Sequence, residues 1–479
     1  MNRTRVFAYA IAVLILARFV AAALLPLSAD EAYYWLWSKH LAFGYYDHPP
    51  MIAFAIRAGT ALFGDTEFGV RFVGVVLSVI ASWAVWRAGA ILLKREEAGA
   101  LACLLFNLTP MVAIETLAAT PDAPALAASA LFLLALAKAE QTRNARWWLA
   151  AGVVAGLGLL SKYTMFFAGA GALLWLLLDP RARRWLLTPW PYVSALIALI
   201  VFTPNLMWNA NHHWVTFALQ FGRVGEGHFT ARYLAEFLAA QLGLATPFIF
   251  TLGTFDLFAR RKPDASLLTR AMLWPTIVYF IVHALHDRVQ GNWPSFLYPA
   301  FAILAAEAVS ADWRGWKKPV SRISRAAAVP VAAVVLALLY TQAIFDPVPL
   351  GRADPFERLL AFGFPQMADD IQRRAETMQV GALLTTDYGT ASWLKFYLPS
   401  LPVIDLNEDI RWPDSPPPSA ALTAKSALYV TLPKRDLHQT LGAKMELCGH
   451  AARARHGVTI ETYLLYCVTE PRNAAGREL

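Results

Sequence analysis

Long apolar runs separated by short polar segments make up most of the chain. Eleven runs predict membrane-spanning helices, since about 20 apolar residues cross a hydrocarbon layer about 30 Å thick. Two of them, 147–160 and 163–178, are short for that thickness. The predicted spans are 6–27, 67–93, 98–117, 121–138, 147–160, 163–178, 186–207, 234–258, 270–286, 294–310 and 326–345. The pattern therefore predicts an α-helical, polytopic membrane protein.

Basic residues lie in clusters between the apolar runs. With eleven spans, every cluster falls on one side of the membrane, which the positive-inside rule makes the cytoplasm. The clusters are Arg3/Arg5, Lys94/Arg95, Arg143/Arg146, Arg181/Arg183/Arg184, Arg260/Arg261/Lys262 and Lys317/Lys318/Arg322/Arg325. We therefore expect a cytoplasmic amino terminus, a first span that is retained rather than cleaved as a signal peptide, and an extracytoplasmic carboxy terminus.

Two segments outside the spans carry structure of their own. The first external loop, 28–66, contains aromatic-rich stretches at 30–40 and 50–63 that are typical of helices lying in the membrane interface. After Arg352, apolar strands alternate with a helical stretch, which predicts a small α/β domain. The strands are expected at Ala382–Thr386, Val403–Leu406, Ala427–Leu432 and Tyr463–Val468, and the helix near Thr390–Leu398. These patterns predict a transmembrane domain over 1–345 and an extracytoplasmic domain over 346–479.

Composition excludes several classes of protein. Hydrophobic residues make up 57% of the chain and charged residues 16%, and the mean hydropathy is +0.43, so a soluble globular protein is excluded. The net charge of +8 does not form a polar face for nucleic acid, because the basic residues lie between spans. Three cysteines exclude a disulfide-rich scaffold. Cys448 and Cys467 are either a disulfide in an oxidising compartment or two free thiols.

Asp30 and Glu31 are adjacent carboxylates directly after the first span. Burial beside a bilayer and mutual repulsion raise the pKa of such a pair, which suits a general base. The alternative is structural, because Ser28, Asp30 and Glu31 all suit the first turn of a helix, with Asp30 as its N-cap.

A second cluster follows in the same loop, Gly44-Tyr45-Tyr46-Asp47-His48-Pro49-Pro50. It combines a carboxylate, an imidazole and two aromatic rings with a proline pair that stiffens the backbone. The cluster is either part of a site or a capped turn that opens the helix at 50–63.

These motifs, together with Glu67-Phe68-Gly69-Val70-Arg71-Phe72, Thr120-Pro121-Asp122-Ala123-Pro124 and Gly158-Leu159-Leu160-Ser161-Lys162-Tyr163-Thr164, resemble glycosyltransferase family 39. That superfamily includes protein O-mannosyltransferases and the lipid A aminoarabinose transferase. The motifs cover residues 1–310. The resemblance implies a GT-C fold, a polyprenyl-phosphate-linked sugar donor and an active site at the extracytoplasmic membrane face.

The resemblance also implies roles for particular residues. Asp30 matches the family's acidic residue in the first external loop, which is the expected catalytic base or acceptor-orienting group. In the aminoarabinose branch the second motif is acidic-Lys-Pro-Pro, whereas this chain has Asp47-His48-Pro49-Pro50. A permanent cation is therefore missing at His48, which argues against an aminoarabinose substrate. Asp47 is expected to assist Asp30.

Departure of a lipid phosphate requires cations that receive its charge. Lys162 and Arg288 are candidates for phosphate contact, together with His48; the alternative for each of the first two is a snorkelling interfacial cation. Arg71 either binds phosphate or pairs with Glu67, and Asp122 either orients partners or caps a helix. Tyr163 and Asn292, which lie in the same motifs, complete the predicted substrate-binding set.

Cofactor requirements are less constrained. No two aspartates are separated by a single residue, so a nucleotide-sugar donor that needs a divalent metal is disfavoured. His212, His213 and His228 match no metal motif, and metal dependence is left open. The expected partners are a polyprenyl-phosphate sugar, an envelope glycan, lipid or protein acceptor, and the bilayer of a bacterial inner membrane, whereas nucleic acid is not expected.

The alternative from another functional class is a transporter or flippase of a lipid-linked sugar. Transporters place ionisable residues near the bilayer midplane and often contain repeats, whereas the acidic residues here gather at one face. Only Arg18 lies deep within a predicted span. The segment 208–233 and the tail domain are expected to shape access for the acceptor.

Overall fold

A computed structural model describes residues 2–222, 229–259, 266–406, 411, 426–439 and 444–468. The chain forms two compact units. The membrane unit comprises Met1–Ala23 and Ala42–Tyr340, and the tail unit comprises Leu24–Leu41 and Thr341–Leu479. The predicted basic cluster at 260–262 and His228 lie outside the described residues.

Helices form nearly all of the chain up to residue 345. In order they are α1 (Arg3–Leu24), α2 (Ala29–Lys39), α3 (Met51–Phe63), α4 (Glu67–Leu92), α5 (Glu96–Leu108), α6 (Pro110–Glu115), α7 (Asp122–Thr142), α8 (Arg146–Leu159), α9 (Phe166–Leu178), α10 (Trp190–Asn211), α11 (Val215–Phe221), α12 (Arg232–Ala245), α13 (Pro247–Leu257), α14 (Ser266–Ala284), α15 (Tyr298–Ser310) and α16 (Lys317–Phe345). The two stretches expected as interfacial helices correspond to α2 and α3.

The protein is a multi-pass membrane protein. Within the described residues, six helices are long and apolar enough to cross a membrane, and α12 with α13 make a seventh if that bent pair is one span. The predicted spans at 147–160, 163–178 and 294–310 correspond to shorter apolar helices. The predicted span at 98–117 is divided between α5 and α6 because Pro110 starts a new helix.

One predicted span, 234–258, is broken. Helices α12 and α13 meet at Thr246 with a bend of 110°. Thr246 has φ 63° and ψ 147°, outside the helical region, and Pro247 begins α13. Proline disfavours the α conformation in the residue before it and lacks the N–H that would continue the helix. The apolar run is continuous in sequence, but the helix is not.

Small residues allow the helices of the membrane unit to approach closely. Ala81, Ala84 and Ala88 on α4 are fully buried in the core. A Cβ on Gly99 of α5 would collide with the Trp86 carbonyl oxygen of α4. Close backbone approach gives helices in lipid the van der Waals contact that holds them together.

The tail unit contains the predicted α/β domain. Its elements are α17 (Pro355–Leu359), α18 (Phe364–Thr377), β1 (Ala382–Thr385), α19 (Tyr388–Tyr397), β2 (Val403–Asp405), β3 (Ala427–Thr431), β4 (Met445–Arg455) and β5 (Val458–Val468). The sheet has the order β2-β1-β3-β5-β4. Strands β1, β2 and β3 are parallel, whereas β5 is antiparallel to both β3 and β4.

The β4–β5 hairpin is closed by a tight turn and a disulfide. His456 and Gly457 both have positive φ, 47° and 81°, as in the two-residue type I′ turn that matches strand twist. Cys448 and Cys467 form a disulfide between the two strands, with their Cα atoms 5.8 Å apart. Of the two alternatives for these cysteines, the structure contains the disulfide.

A buried acidic cluster lies where α16 meets the sheet domain within the tail unit. Asp346, Asp354 and Glu357 are 5%, 1% and 1% exposed. The Arg455 side chain lies 3.9 Å from the Asp346 carboxylate and 4.0 Å from the Glu357 carboxylate. Burial and the neighbouring Asp346 raise the pKa of Glu357 to about 7.

Replacing Glu357 by Gln is expected to remove part of the pH dependence of tail-unit stability. The pKa of Glu357 is raised from 4.5 to about 7, so its protonated form stabilises the fold fully below pH 4.5. That stabilisation is lost as pH rises through about 7. Native-state hydrogen exchange of α17 and α18 at pH 6 and pH 8 measures the loss. Glu376→Gln, at an exposed position on α18, is the control. Equal pH dependence in wild type and Glu357→Gln would contradict the expectation.

Candidate active site

Asp122 and Lys162 form a buried ion pair in the membrane unit. Lys162 Nζ donates to both Asp122 carboxylate oxygens, at 2.8 and 2.9 Å. Asp122 is 2% exposed and Lys162 is 7% exposed. Asp122 occupies the first turn of α7, and Lys162 follows α8 in extended backbone with φ −156°. A pair this deeply buried is stable only when further hydrogen bonds satisfy the carboxylate.

Two further side chains provide those bonds. Asn292 Nδ2 donates to Asp122 Oδ2 at 3.1 Å, and the Ser295 hydroxyl donates to Asp122 Oδ1. The carboxylate therefore accepts bonds from three side chains, while α7 has no side-chain N-cap bond. The sequence motif pointed to Asn292 but not to Ser295. The position of Ser295 three residues after Asn292 was the available signal.

Glu115 adds a second carboxylate to this cluster. It is the last residue of α6 and is 8% exposed. Glu115 interacts electrostatically with Asp122 and Lys162, and its carboxylate hydrogen-bonds with Asn292. The group of Glu115, Asp122, Lys162, Asn292 and Ser295 is called the ion-pair cluster below. From sequence, Glu115 was expected near the same membrane face but was not included among the candidate site residues.

The loop carrying Asp47 and His48 is held through its backbone. Asn205 of α10 donates to the Phe43 carbonyl at 2.8 Å. Thr216 and Gln220 of α11 donate to the carbonyls of Tyr45 and Asp47, both at 2.7 Å. Three alternate carbonyls, at 43, 45 and 47, are thus fixed by one helix pair. Asp47 and His48 are half-buried, and their loop geometry depends on these contacts.

Gly44 lets this loop approach α10. A Cβ at this position would collide with the Trp208 ring and lie 2.9 Å from Asn205 Nδ2. His212 stacks on Trp208 with ring centroids 3.9 Å apart, and its Nδ1 lies 2.8 Å from the Trp208 carbonyl oxygen. His212 therefore packs against α10.

Within the described residues, no group of three or more His, Cys, Asp or Glu side chains is arranged to hold a metal ion.

Tyr163 lies on the α10–α11 side, although it follows Lys162 in sequence. Its hydroxyl donates to Asn205 Oδ1 at 3.0 Å, and its ring stacks on Phe217 at a centroid distance of 4.8 Å. Asn209 Nδ2 donates to the same hydroxyl at 3.3 Å. Tyr163 thus connects the α10–α11 pair, which holds the 43–47 backbone, to the segment that carries Lys162.

The two predicted arginines have different surroundings. Arg71 lies on α4 and is 2% exposed, as deeply buried as the ion-pair cluster. Arg288 has a side chain that is 67% exposed and forms an ion pair with Glu236 at 3.4 Å. Arg288 therefore lies in an exposed ion pair, while Asn292, four residues later, reaches Asp122.

Arg18, the one ionisable residue deep in a predicted span, is also hydrogen-bonded. It is 1% exposed, and its guanidinium donates to the Asn107 side-chain and backbone oxygens at 2.8 and 3.1 Å. Asn107 in turn donates to Ser82 Oγ at 3.0 Å. The network joins α1, α4 and α5.

Asp30 and Glu31 have different environments in the tail unit. Ser28 is the N-cap of α2, and Glu31 closes a capping box by accepting the Ser28 N–H at 2.8 Å. Glu31 is fully buried, whereas Asp30 is exposed. Asp30 Oδ1 accepts a hydrogen bond from the Tyr388 hydroxyl of α19 at 3.0 Å. The cap that sequence reasoning offered to Asp30 is made by Ser28 and Glu31.

Sequence relatives are glycosyltransferases. Residues 47–208 match the family model described as dolichyl-phosphate-mannose-protein mannosyltransferase. The chain is 29% identical over 290 residues to the lipid A galacturonosyltransferase RgtD of Rhizobium johnstonii, over 59% of this chain and 61% of that protein. It is 28% identical over 185 residues to the lipopolysaccharide core galacturonosyltransferase RgtA of the same organism, over 38% of this chain and 37% of that protein. The matches thus span less than two thirds of either relative's length.

Solved structures extend the likeness to nearly the whole chain. ArnT from Cupriavidus metallidurans bound to undecaprenyl phosphate is 17% identical, and the superposition covers 97% of this chain and 98% of that chain with a TM-score of 0.64. The arabinofuranosyltransferase AftD from Mycobacteria, also 17% identical, covers 98% of this chain and 40% of its own, with a TM-score of 0.53. These likenesses show the fold, including the predicted small carboxy-terminal sheet domain. The predicted resemblance is confirmed over residues 47–208, which match the dolichyl-phosphate-mannose-protein mannosyltransferase family, and the chain has the GT-C fold that it shares with ArnT.

Proposed function

We propose that the protein transfers a sugar from a polyprenyl-phosphate donor to an acceptor on the extracytoplasmic side of a bacterial inner membrane. The observation that carries the proposal is the buried Lys162 in the ion-pair cluster. A deeply buried, hydrogen-bonded cation is suited to stabilise the negative charge on a leaving phosphate. The undecaprenyl phosphate bound to ArnT and the lipid A transferase among the relatives support the choice of donor and acceptor classes.

Lys162 has hydrogen-bonding capacity for a phosphate oxygen. An ammonium group has three donors, and two of them bond to the Asp122 oxygens. Within the described residues, the third donor makes no hydrogen bond. Asp122, fixed by Asn292 and Ser295, holds the ammonium in place, so Lys162 is preorganised to stabilise charge on the departing phosphate. His48, Arg71 and Arg288 are proposed as further phosphate or substrate contacts, and Tyr163 as a substrate contact.

Asp30 is proposed to activate the acceptor. Its carboxylate takes the proton of the acceptor hydroxyl as the acceptor oxygen bonds to the anomeric carbon. The bond from that carbon to the phosphate oxygen breaks at the same time, and its electron pair leaves with the polyprenyl phosphate. The products are a glycosylated acceptor, a polyprenyl phosphate and a protonated Asp30. Asp47 assists by orienting the acceptor, and Glu31 contributes by capping the helix that carries Asp30.

The proposed acceptor is a lipid A or core glycan, with other envelope lipids and protein hydroxyls as wider members of the class. The names of the two curated relatives support this choice, since both act on lipopolysaccharide components. The proposed sugar is a hexose, a uronic acid or a pentose, and the two galacturonosyltransferases among the relatives support a uronic acid. The amino terminus is proposed to be cytoplasmic and the tail unit extracytoplasmic.

Mass spectrometry of envelope glycolipids tests this function. We expect cells that produce the protein to contain a lipid A or core species heavier by one sugar than cells that lack it. Purified protein in liposomes should release one polyprenyl phosphate for each glycosylated acceptor. Movement of an intact lipid-linked sugar across the bilayer, without release of polyprenyl phosphate, would contradict transfer and identify a flippase.

A further inference from the structure

The Asp30 carboxylate receives a hydrogen bond from the far end of the chain. The Tyr388 hydroxyl donates to Asp30 Oδ1 at 3.0 Å across 358 residues of sequence. Tyr388 is the first residue of α19, directly after β1. Both residues belong to the tail unit.

Tyr388 is held firmly at the start of its helix. Asp387 caps α19 by accepting the Thr390 N–H at 3.1 Å and the Thr390 hydroxyl at 2.8 Å. Asp387 also forms an ion pair with Arg435, which follows β3. The carboxyl ends of two neighbouring parallel strands thus fix the backbone that presents the Tyr388 ring.

Helix α2 is fastened to α19 by several contacts besides this bond. The Leu27 N–H donates to the Tyr397 hydroxyl at 2.9 Å, and the Trp393 indole donates to the Leu27 carbonyl at 3.2 Å. The Tyr33 ring meets the Tyr388 ring edge to face at 5.2 Å. Contacts with α19 therefore fix the position of Asp30, because Leu27, which precedes α2, and Tyr33, which follows Asp30, both contact α19.

The charges around Asp30 favour a strong hydrogen bond. Glu31, the neighbouring carboxylate on α2, is engaged in the capping box. The Arg411 guanidinium lies over the Tyr388 ring at 4.2 Å from its centroid and over the Tyr33 ring at 5.7 Å. A cation on a phenol ring draws electron density from the hydroxyl and makes it a better donor. Asp387, the other nearby carboxylate, is paired with Arg435.

We propose that Tyr388 is a positioning residue for Asp30, and that the carboxy-terminal domain is thereby part of the catalytic apparatus. The Tyr388 hydroxyl fixes one Asp30 carboxylate oxygen and stabilises the charged form of the carboxylate. The proposal rests on the proposed function, in which Asp30 is the acceptor base. It gives the tail domain a role beyond the acceptor access expected from sequence.

The test compares pH–rate profiles of Tyr388→Phe and Tyr397→Phe in purified full-length protein. The substrates are the polyprenyl-phosphate sugar and the glycolipid acceptor that the mass spectrometry of envelope glycolipids identifies. Loss of a donor to a carboxylate disfavours its charged form, so Asp30 stays protonated to higher pH. For Tyr388→Phe we expect kcat/KM to fall about 10-fold at neutral pH and the acidic limb to move up by roughly 1 pH unit. The KM for the donor should not change.

Tyr397→Phe is the matched control. It removes one tyrosine hydroxyl from the same helix, and that hydroxyl contacts the Leu27 backbone rather than a carboxylate. A purely structural role for α19 would lower activity in both variants and leave both acidic limbs in place. Incorporation of 3-fluorotyrosine at position 388, a stronger donor of nearly the same shape, should move the acidic limb to lower pH.

The outcomes separate this inference from the function on which it rests. If Tyr388→Phe and the fluorotyrosine protein both keep the wild-type acidic limb while Asp30→Asn is inactive, Tyr388 does not position Asp30 and the transferase function stands. If Asp30→Asn retains turnover, Asp30 is not the base and the inference about Tyr388 fails, whereas the transferase function stands. If the wild-type protein releases no polyprenyl phosphate with donor and acceptor, the proposed function itself fails. If the Tyr388→Phe protein does not fold, the acidic limb of the fluorotyrosine protein tests the inference alone, because that protein retains every contact.

Discussion

Asp30→Asn is expected to lower sugar transfer at least about 1,000-fold while the protein remains folded and inserted in the membrane. A positioned general base contributes 10²- to 10⁴-fold to a rate, and asparagine has nearly the same shape but no useful basicity. The amide still accepts the Tyr388 hydrogen bond through its oxygen, so α2 and α19 should stay docked. Single-turnover transfer with purified protein measures the loss.

Glu31→Gln is the matched control for this result. It removes the neighbouring negative charge, yet glutamine also serves at the third position of a capping box. We therefore expect Glu31→Gln to retain most of the turnover. A loss in Glu31→Gln as large as that in Asp30→Asn would transfer the role of base to Glu31, and near-normal turnover in Asp30→Asn would remove it from Asp30.

The second large effect concerns the ion-pair cluster. Lys162→Met should destabilise the membrane unit by about 3–5 kcal/mol, because it leaves Asp122 and Glu115 as buried carboxylates without their cation. The double variant Asp122→Asn/Lys162→Met should recover much of that stability, since the uncompensated charge at Asp122 is gone. It should not recover transfer, because the phosphate has lost its cation. Thermal unfolding in detergent and donor turnover are the two readouts.

Arg270 and Asp256 provide a matched buried pair. Arg270 Nη2 lies 3.1 Å from Asp256 Oδ2, and their side chains are 10% and 0% exposed. They join α13 to α14, and Asp256 lies four residues before Arg260, the start of the basic cluster that is predicted to be cytoplasmic. A double replacement there, Asp256→Asn/Arg270→Met, should retain transfer once folding is restored. Equal loss of transfer in both double variants would mean that the ion-pair cluster acts only through stability.

The spans and the parallel strands could be predicted because their signals are local. Six of the predicted apolar runs coincide with described helices long enough to cross a membrane. Strands β1, β2 and β3 are short apolar stretches close to the predicted ranges. Strand β4 was missed, since Met445–Arg455 contains glycine, charged residues and alanines and is a strand only because it pairs with β5. The break in 234–258 did have a local signal, the proline at 247.

The candidate site was predicted in part. Asp122, Lys162 and Asn292 were each singled out, but their convergence depends on how α7, α8 and the segment before α15 pack. The surroundings of Arg288 also depend on packing, because the fold places Arg288 in an exposed ion pair with Glu236. The pattern Ser28-x-x-Glu31 is the known signature of a capping box, and it could have shown in advance that Asp30 was not needed as the cap.

The tail unit joins two stretches of chain that are about 300 residues apart, Leu24–Leu41 and Thr341–Leu479. A ribosome adds roughly 5–20 residues each second, and about 350 residues separate α2 from α19, so α2 is synthesised roughly 18–70 s before α19. During that interval Tyr33, Trp35 and Trp37, all buried in the finished protein, lack their partner surface. The helix that carries Asp30 therefore completes its packing only after nearly all of the chain has been synthesised. A truncation before α19 would leave that helix permanently unassembled, even with every span inserted.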